Sequence, residues 1–249
     1  MKENKLVYVV KCFVVMFVVY ALGVLPAYAQ LRNDIKWVTS SVEYAALCTQ
    51  TYRSAWQAVQ QAAQTQTNNW VVVLDVDETV LDNSQYAVER TKIDSGFTPQ
   101  SWAEWVFRKE AMLVPGAKEF IDGVRSLGPN AHIAYITNRN FEHEQATIEN
   151  LQKYGLFKPG DTMLTRKNRQ DKKSDRRRCL EAGTGRCKKN GPLVIVALLG
   201  DNIRDFMEVV GAEKAKKYRT KELPGDERWG TKFFMLPNPT YGSWERDYR

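Results

Sequence analysis

The sequence predicts an α/β protein: a parallel sheet with helices on both faces, plus a small helical and aromatic cap. Three observations carry this expectation. Short, uniformly apolar runs rich in Val, Ile and Leu alternate with stretches of helical periodicity, the pattern of strands buried on both faces. Three of those runs end in polar residues, at Asp75 and Asp77, at Thr137 and Asn138, and at Asp201 and Asn202. The segment after the first run, 84–113, is instead polar and aromatic, and reads as an insertion rather than a crossover helix.

At the N-terminus, Lys2 and Lys5 precede the apolar stretch CFVVMFVVYALGVL. Pro26 and AYAQ follow, with Ala27 and Ala29 where a signal peptidase needs small residues. Residues 1–29 are therefore expected to be a signal peptide cleaved after Ala29, and 30–249 the exported domain, periplasmic or secreted. The alternative is an uncleaved anchor. A spanning helix needs roughly 20 apolar residues, and 6–25 approaches that only by including Lys11. No cysteine stands at the cleavage point, so lipid attachment there is not expected. The 249 residues, 43% of them hydrophobic, suffice for one domain with a core and exclude a disordered chain. Part of the net charge of +7 lies at the N-terminus.

The mature chain keeps Cys48, Cys179 and Cys187. An oxidising compartment allows Cys179 and Cys187, which flank LEAGTGR, to pair; three free thiols are the alternative. No zinc-ligand spacing exists around His132 and His143. A helix is expected over 35–63, where Trp37, Val42, Ala45, Tyr52, Ala55, Trp56 and Val59 recur at helical spacing. Residues 70–76 are the first strand. Pro115 opens a helix that Gly128 closes. AHIAYITN is a second strand, EHEQATIENLQKYGL a helix, PLVIVALLGDN a third strand, IRDFMEVVG a helix and TKFFMLPNP a late strand. His132 lies within a strand and is assigned to the core. The basic run 166–178 is a solvated face from which one cation enters the site.

Ligands of open parallel sheets bind beyond the carboxyl ends of the strands, so the three polar strand ends should share one rim. Carboxylates crowded there repel one another and take up protons unless a cation holds them. A hard divalent ion with oxygen ligands resolves this, and Mg2+ is the expected one. Asp205, four residues past Asp201, reaches the same ion if a helix has begun by then. A carboxylate can attack phosphorus to form an acyl phosphate, while a second one protonates the departing oxygen and later activates water. Asp75 and Asp77 form such a pair.

DVDET, then TN, then GDNIRDF resembles the haloacid dehalogenase superfamily of phosphotransferases. The wider series WVTSSVEYAALCTQTYRSA, DVDETVLDNS, WAEWV, VPGAKEF, YITNR, GDNIRDF and PNPTYGSWE is similar to the secreted class C acid phosphatases, over nearly the whole mature chain. The resemblance implies a magnesium-dependent hydrolase of phosphomonoesters, often nucleoside monophosphates. It implies Asp75 as nucleophile and Asp77 as general acid and base, with the Asp77 backbone carbonyl on the metal. It also implies Thr137 and Asn138 at the phosphoryl group, Asp201 as metal ligand and Asp205 supporting the metal through its waters. For the phosphate-binding cation, DKKSDRRR offers Lys173 and Arg176, and the two are not separated.

Trp102, Trp105 and Tyr241 either belong to the core or line the substrate pocket. Tyr241 sits in a Pro/Gly loop that suits an exposed ring over a ligand. The expected partner is a small phosphomonoester, with no stable nucleic-acid complex and no membrane attachment after cleavage. Two other readings are a phosphoacceptor domain without hydrolase activity and a catalytically weak phosphate- or nucleotide-binding protein. The acid two residues past Asp75, together with export, disfavours the first; retention of both acids disfavours the second.

Overall fold

The computed structural model describes residues 30–247. The expected signal peptide, 1–29, lies outside the described residues. Among those described, no helix is long and apolar enough to cross a membrane.

Five strands form the main sheet: β1 (Trp70–Leu74), β4 (Ala131–Asn140), β5 (Thr162–Arg166), β6 (Val194–Gly200) and β7 (Phe233–Met235). Their order is β5-β4-β1-β6-β7 and every pairing is parallel. β1 is central and wholly buried. Its side chains alternate between faces, as the two-residue period of a strand requires. Val72 and Leu74 pack with one helical layer, and Val71 and Val73 pack with the other. This is the two-faced burial that the apolar runs predict. Leu74 pairs with Tyr135 on one side and Leu199 on the other, so β1 and β6 run out together while β4 continues past them to Asn140 along the same rim.

The helix expected over 35–63 is two helices, α1 (Asn33–Ser40) and α2 (Val42–Thr65). Ser41 between them is extended, and its Oγ accepts from the Tyr44 amide at 3.1 Å, an N-cap worth about 1 kcal/mol. Periodicity runs through this break because the apolar face is continuous across it. α2 covers the first face of the sheet with Tyr44, Cys48, Tyr52, Ala55 and Val59, beside α5 (Ala117–Ser126).

Residues 84–113 leave the rim as α3 (Ser84–Lys92) and α4 (Pro99–Arg108). Thr98 caps α4 with a reciprocal bond to Ser101, and Pro99 sits at its first turn, where the missing N–H costs nothing. The segment is stitched back by a short antiparallel pair, β2 (Leu81–Asp82) with β3 (Met112–Leu113).

α6 (Glu144–Lys153) follows a 3-10 turn after β4. Beyond β5 comes α7 (Lys173–Ala182), which begins within the stretch read as a solvated basic face. Its buried side chains are Lys173, Arg176 and Leu180. These share one helical face, but two are cations, so a hydrophobic pattern cannot reveal it. Cys179 on α7 pairs with Cys187 in a disulfide, and Cys48 is free and buried.

The helix expected over 203–211 is only a 3-10 turn at Ile203–Asp205. Asn202 and Asp205 cap each other, and Arg177 of α7 donates Nη1 to the Asp205 carbonyl at 2.6 Å. The Val209 amide, which a continuing helix would direct at that carbonyl, donates instead to the Met207 carbonyl at 3.2 Å. α8 (Ala212–Lys217) and α9 (Trp244–Asp247) complete the chain.

Candidate active site

Asp75 is the first residue past β1, and its amide donates to the Leu199 carbonyl at 2.9 Å. Asp201 is the first past β6, and Asp205 returns toward it from the 3-10 turn. One carboxylate oxygen from each of the three lies within 4.8 Å of the others. The return is possible because residue 200 is glycine: a Cβ there would stand 2.3 Å from Asp205 Oδ2. Lys173 Nζ, on the first turn of α7, meets Asp75 Oδ1 and Asp205 Oδ1, each at 2.6 Å.

The electrostatics of this group are out of balance. Burial pushes the Asp75 carboxyl up to about 7; Lys173 opposes this and the charges of Asp205 and Asp77 add to it. Burial also pushes Asp201 well above the ordinary carboxylate range, with repulsion from Asp205 and Asp75 adding and the Asn238 donor and Lys173 opposing. Burial alone would lower Lys173, but Asp205 and Asp75 outweigh it and hold its pKa up. One ammonium does not neutralise three carboxylates. Hard oxygen donors this close, with Asp75 and Asp201 shifted upward mainly by burial, fit a divalent cation.

Asp77 lies outside that trio. Its Oδ1 accepts from Arg139 Nε at 3.0 Å, Arg139 Nη2 at 2.8 Å and Asn83 Nδ2 at 3.0 Å. Thr137 Oγ stands 3.4 Å from Asp77 Oδ2 and accepts the Arg139 amide at 3.1 Å. Thr137 is buried and Asn138 exposed, side by side at the end of β4.

The structure separates the two cations. Only Lys173 reaches the carboxylates. Arg176 is directed beneath Thr137 and Asn138. Its Nη1 donates to the carbonyls of Thr137 (2.6 Å) and Leu164 (2.9 Å), its Nη2 to Asn138 Oδ1 (2.9 Å), and its Nε pairs with Asp171 (3.1 Å). It ties the ends of β4 and β5 together and offers no free fork to a phosphate. The two tryptophans separate as well. Trp105 is 2% exposed, with its Nε1 on Asn83 Oδ1 at 2.8 Å, so it belongs to the core and presents no ring to a substrate. Trp102 is half-buried, with the Arg139 guanidinium 5.6 Å from its ring and Tyr86 edge-on at 5.2 Å. Tyr241 is 43% exposed. Its loop is fixed to the rim on both sides: Asn238 Nδ2 donates to Asp201 Oδ2 at 2.8 Å, and Ser243 Oγ to Asn202 Oδ1 at 2.9 Å. His132 pairs with Val71, toward the end of β4 opposite this rim.

Sequence reasoning missed Arg139, Asn83 and Asn238. Each stands inside a stretch that already pointed to the site, in YITNR, DVDETVLDNS and PNPTYGSWE. A polar residue with no stated task in such a stretch was the available signal.

A parallel sheet whose central strand delivers an aspartate into a carboxylate and lysine cluster suits phosphoryl transfer to that aspartate. A family model described as HAD superfamily, subfamily IIIB (acid phosphatase) matches residues 6–244, and the chain belongs to that family. Among solved structures, it resembles the class C acid phosphatase from Bacillus anthracis with 28% identity and a TM-score of 0.72, covering 87% of this chain and 88% of that one. The same enzyme with tungstate bound matches at a TM-score of 0.71 with the same identity and coverage. The chain is a phosphomonoesterase of the class C acid phosphatase kind.

Proposed function

We propose that the chain is an exported, magnesium-dependent acid phosphatase that hydrolyses phosphomonoesters, nucleoside monophosphates among them, through an aspartyl phosphate on Asp75. The observation that carries this is the meeting of Asp75, Asp201 and Asp205, with Lys173 bridging Asp75 and Asp205. The Asp75 carboxylate attacks phosphorus, the bond from phosphorus to the ester oxygen breaks, and that oxygen takes its proton from Asp77. Asp77, now a carboxylate, takes a proton from water, whose oxygen attacks phosphorus and releases Asp75 and inorganic phosphate. Lys173 neutralises phosphoryl charge, and Thr137 with the Asn138 amide orients it. Asp75, Asp201 and Asp205 would hold the metal, directly or through its waters, together with the Asp77 backbone carbonyl; when bound it supplies charge neutralisation at the phosphoryl oxygens. The tungstate complex of the Bacillus anthracis relative supports an oxyanion site of this kind, because tungstate is a tetrahedral oxyanion like phosphate.

The organic part of the substrate falls to Tyr86, Trp102 and Tyr241. Aromatic rings stack on any base, at roughly 1–3 kcal/mol per base, so broad activity on nucleoside monophosphates is expected. The 1–29 leader pattern and the disulfide support export. The test is hydrolysis of p-nitrophenyl phosphate by the purified mature protein, with and without chelator. Activity should vanish on chelation and return with magnesium. Asp75→Asn, which cannot form the acyl phosphate, should abolish turnover with thermal unfolding unchanged or improved. Undiminished hydrolysis in chelator, or by Asp75→Asn, would sink the reading.

A further inference from the structure

We propose that Arg139 is a positioning residue that clamps the Asp77 carboxylate and selects the oxygen that transfers the proton. This rests on the acid and base role given to Asp77 above. The Arg139 side chain is 1% exposed. It spends two donors, Nε and Nη2, on a single oxygen, Asp77 Oδ1, and Asn83 Nδ2 adds a third. Rotation of that carboxylate would break charge-assisted bonds, the strong class of hydrogen bond. Proton transfer is therefore left to Oδ2, the oxygen on the Thr137 side.

The clamp is itself held from two directions. Toward α6, Arg139 Nη1 donates to Thr147 Oγ at 3.2 Å, and the Thr147 hydroxyl donates to the His143 carbonyl at 2.8 Å. Toward α4, Asn83 Oδ1 accepts from Arg139 Nη2 at 3.3 Å and from Trp105 Nε1 at 2.8 Å. Trp102 lies against the same guanidinium. Buried Trp105 thus acts on the site through Asn83. A planar fork with fixed donor directions is what this geometry uses, and lysine does not supply it.

The test compares kcat/KM, which covers the steps through departure of the alcohol, on two esters. The nitrophenolate of p-nitrophenyl phosphate leaves with little help, whereas the alkoxide of glycerol 2-phosphate needs a proton. Asp77→Asn and Arg139→Lys should each lose at least about tenfold more on the glycerol ester, a modest part of the 10²- to 10⁴-fold that general acid catalysis supplies. Asn83→Ser should shift the same way by less. An equal loss on both esters for a folded Arg139→Lys overturns the clamp while Asp77 keeps its role. An equal loss for Asp77→Asn overturns the acid assignment, and the clamp with it. If thermal unfolding shows that Arg139→Lys does not fold, Asn83→Ser, which leaves Arg139 in place, decides by the same criterion.

Discussion

At the scale of single residues, the site depends on groups that never touch a substrate. Gly200 is the sharpest case, because the space a Cβ would need is filled by the Asp205 carboxylate. Asp205 holds Lys173 through one oxygen and the Asn202 amide through the other. Gly200→Ala should push Asp205 off both partners. The expected result is an apparent magnesium affinity at least about tenfold weaker, the range found when groups supporting a metal site are lost. A magnesium titration of hydrolysis measures it, and unchanged affinity would show that Asp205 finds another route. Tyr241, 43% exposed, gives the contrasting case of a side chain proposed to stack on the substrate. Tyr241→Ala should raise KM for a nucleoside monophosphate by about tenfold, since about 1.4 kcal/mol of lost stacking is a factor of ten. A small aliphatic phosphate should barely change. Equal losses on both substrates would make Tyr241 structural.

At the scale of elements, α7 carries the site cation at its first turn and the disulfide at its last. Cys187 directly follows Arg186, whose Nη1 donates to the Thr165 carbonyl at 2.9 Å and whose Nη2 meets Asp171 at 3.1 Å. Asp171 also holds Arg176. The disulfide thus fastens α7 to the loop that precedes it. Closing a loop with a sequence separation of 8 is worth roughly 2–3 kcal/mol in the chain-entropy account. Replacing both cysteines by serine should lower Tm by roughly 5–10 °C for a domain of this size. Reductant should lower the Tm of the wild type and leave that of the double variant unchanged. A wild type indifferent to reductant would mean that packing alone holds α7.

For the whole molecule, the cost of gathering carboxylates at one rim should make stability depend on metal and pH together. Without metal, Asp75 titrates at about 7 and Asp201 well above its ordinary range, while both are ordinary carboxylates when unfolded. Between about pH 4 and pH 7 the folded chain therefore holds more protons than the unfolded one, and these groups make stability fall as pH rises through that window. In chelator, wild-type Tm should drop between about pH 5 and pH 8 by more than that of Asp75→Asn. Added magnesium should raise Tm more at the higher pH, because binding requires deprotonated carboxylates. A magnesium response that is larger at about pH 5 would contradict this account.

The amino-acid sequence by itself determined the α/β architecture, the shared rim of three strand ends and the acids gathered there. Those features follow from local pattern. A strand buried on both faces must be apolar along its length, and Asp75, Asp77 and Asp201 stand directly after such runs. β5 and α7 escaped because their signals are weak: β5, TMLTR, has only Met163 and Leu164 as an apolar run, and α7 buries mainly its cations. Only the tertiary structure decided that Lys173 rather than Arg176 meets the carboxylates. The same is true of Trp105 closing on Asn83 while Trp102 stays half open, of Arg139 gripping Asp77, and of the chain leaving its helix after Asp205. Each outcome turns on the partner of a buried polar group. A buried donor or acceptor must be satisfied, but its partner comes from across the fold: Arg177 for the Asp205 carbonyl, Asn238 for Asp201, Arg139 for Asp77. Apolar burial repeats with the period of the element and can be read along the chain. Hydrogen-bond pairing has no such period, and it exists only once the strands have brought those residues together.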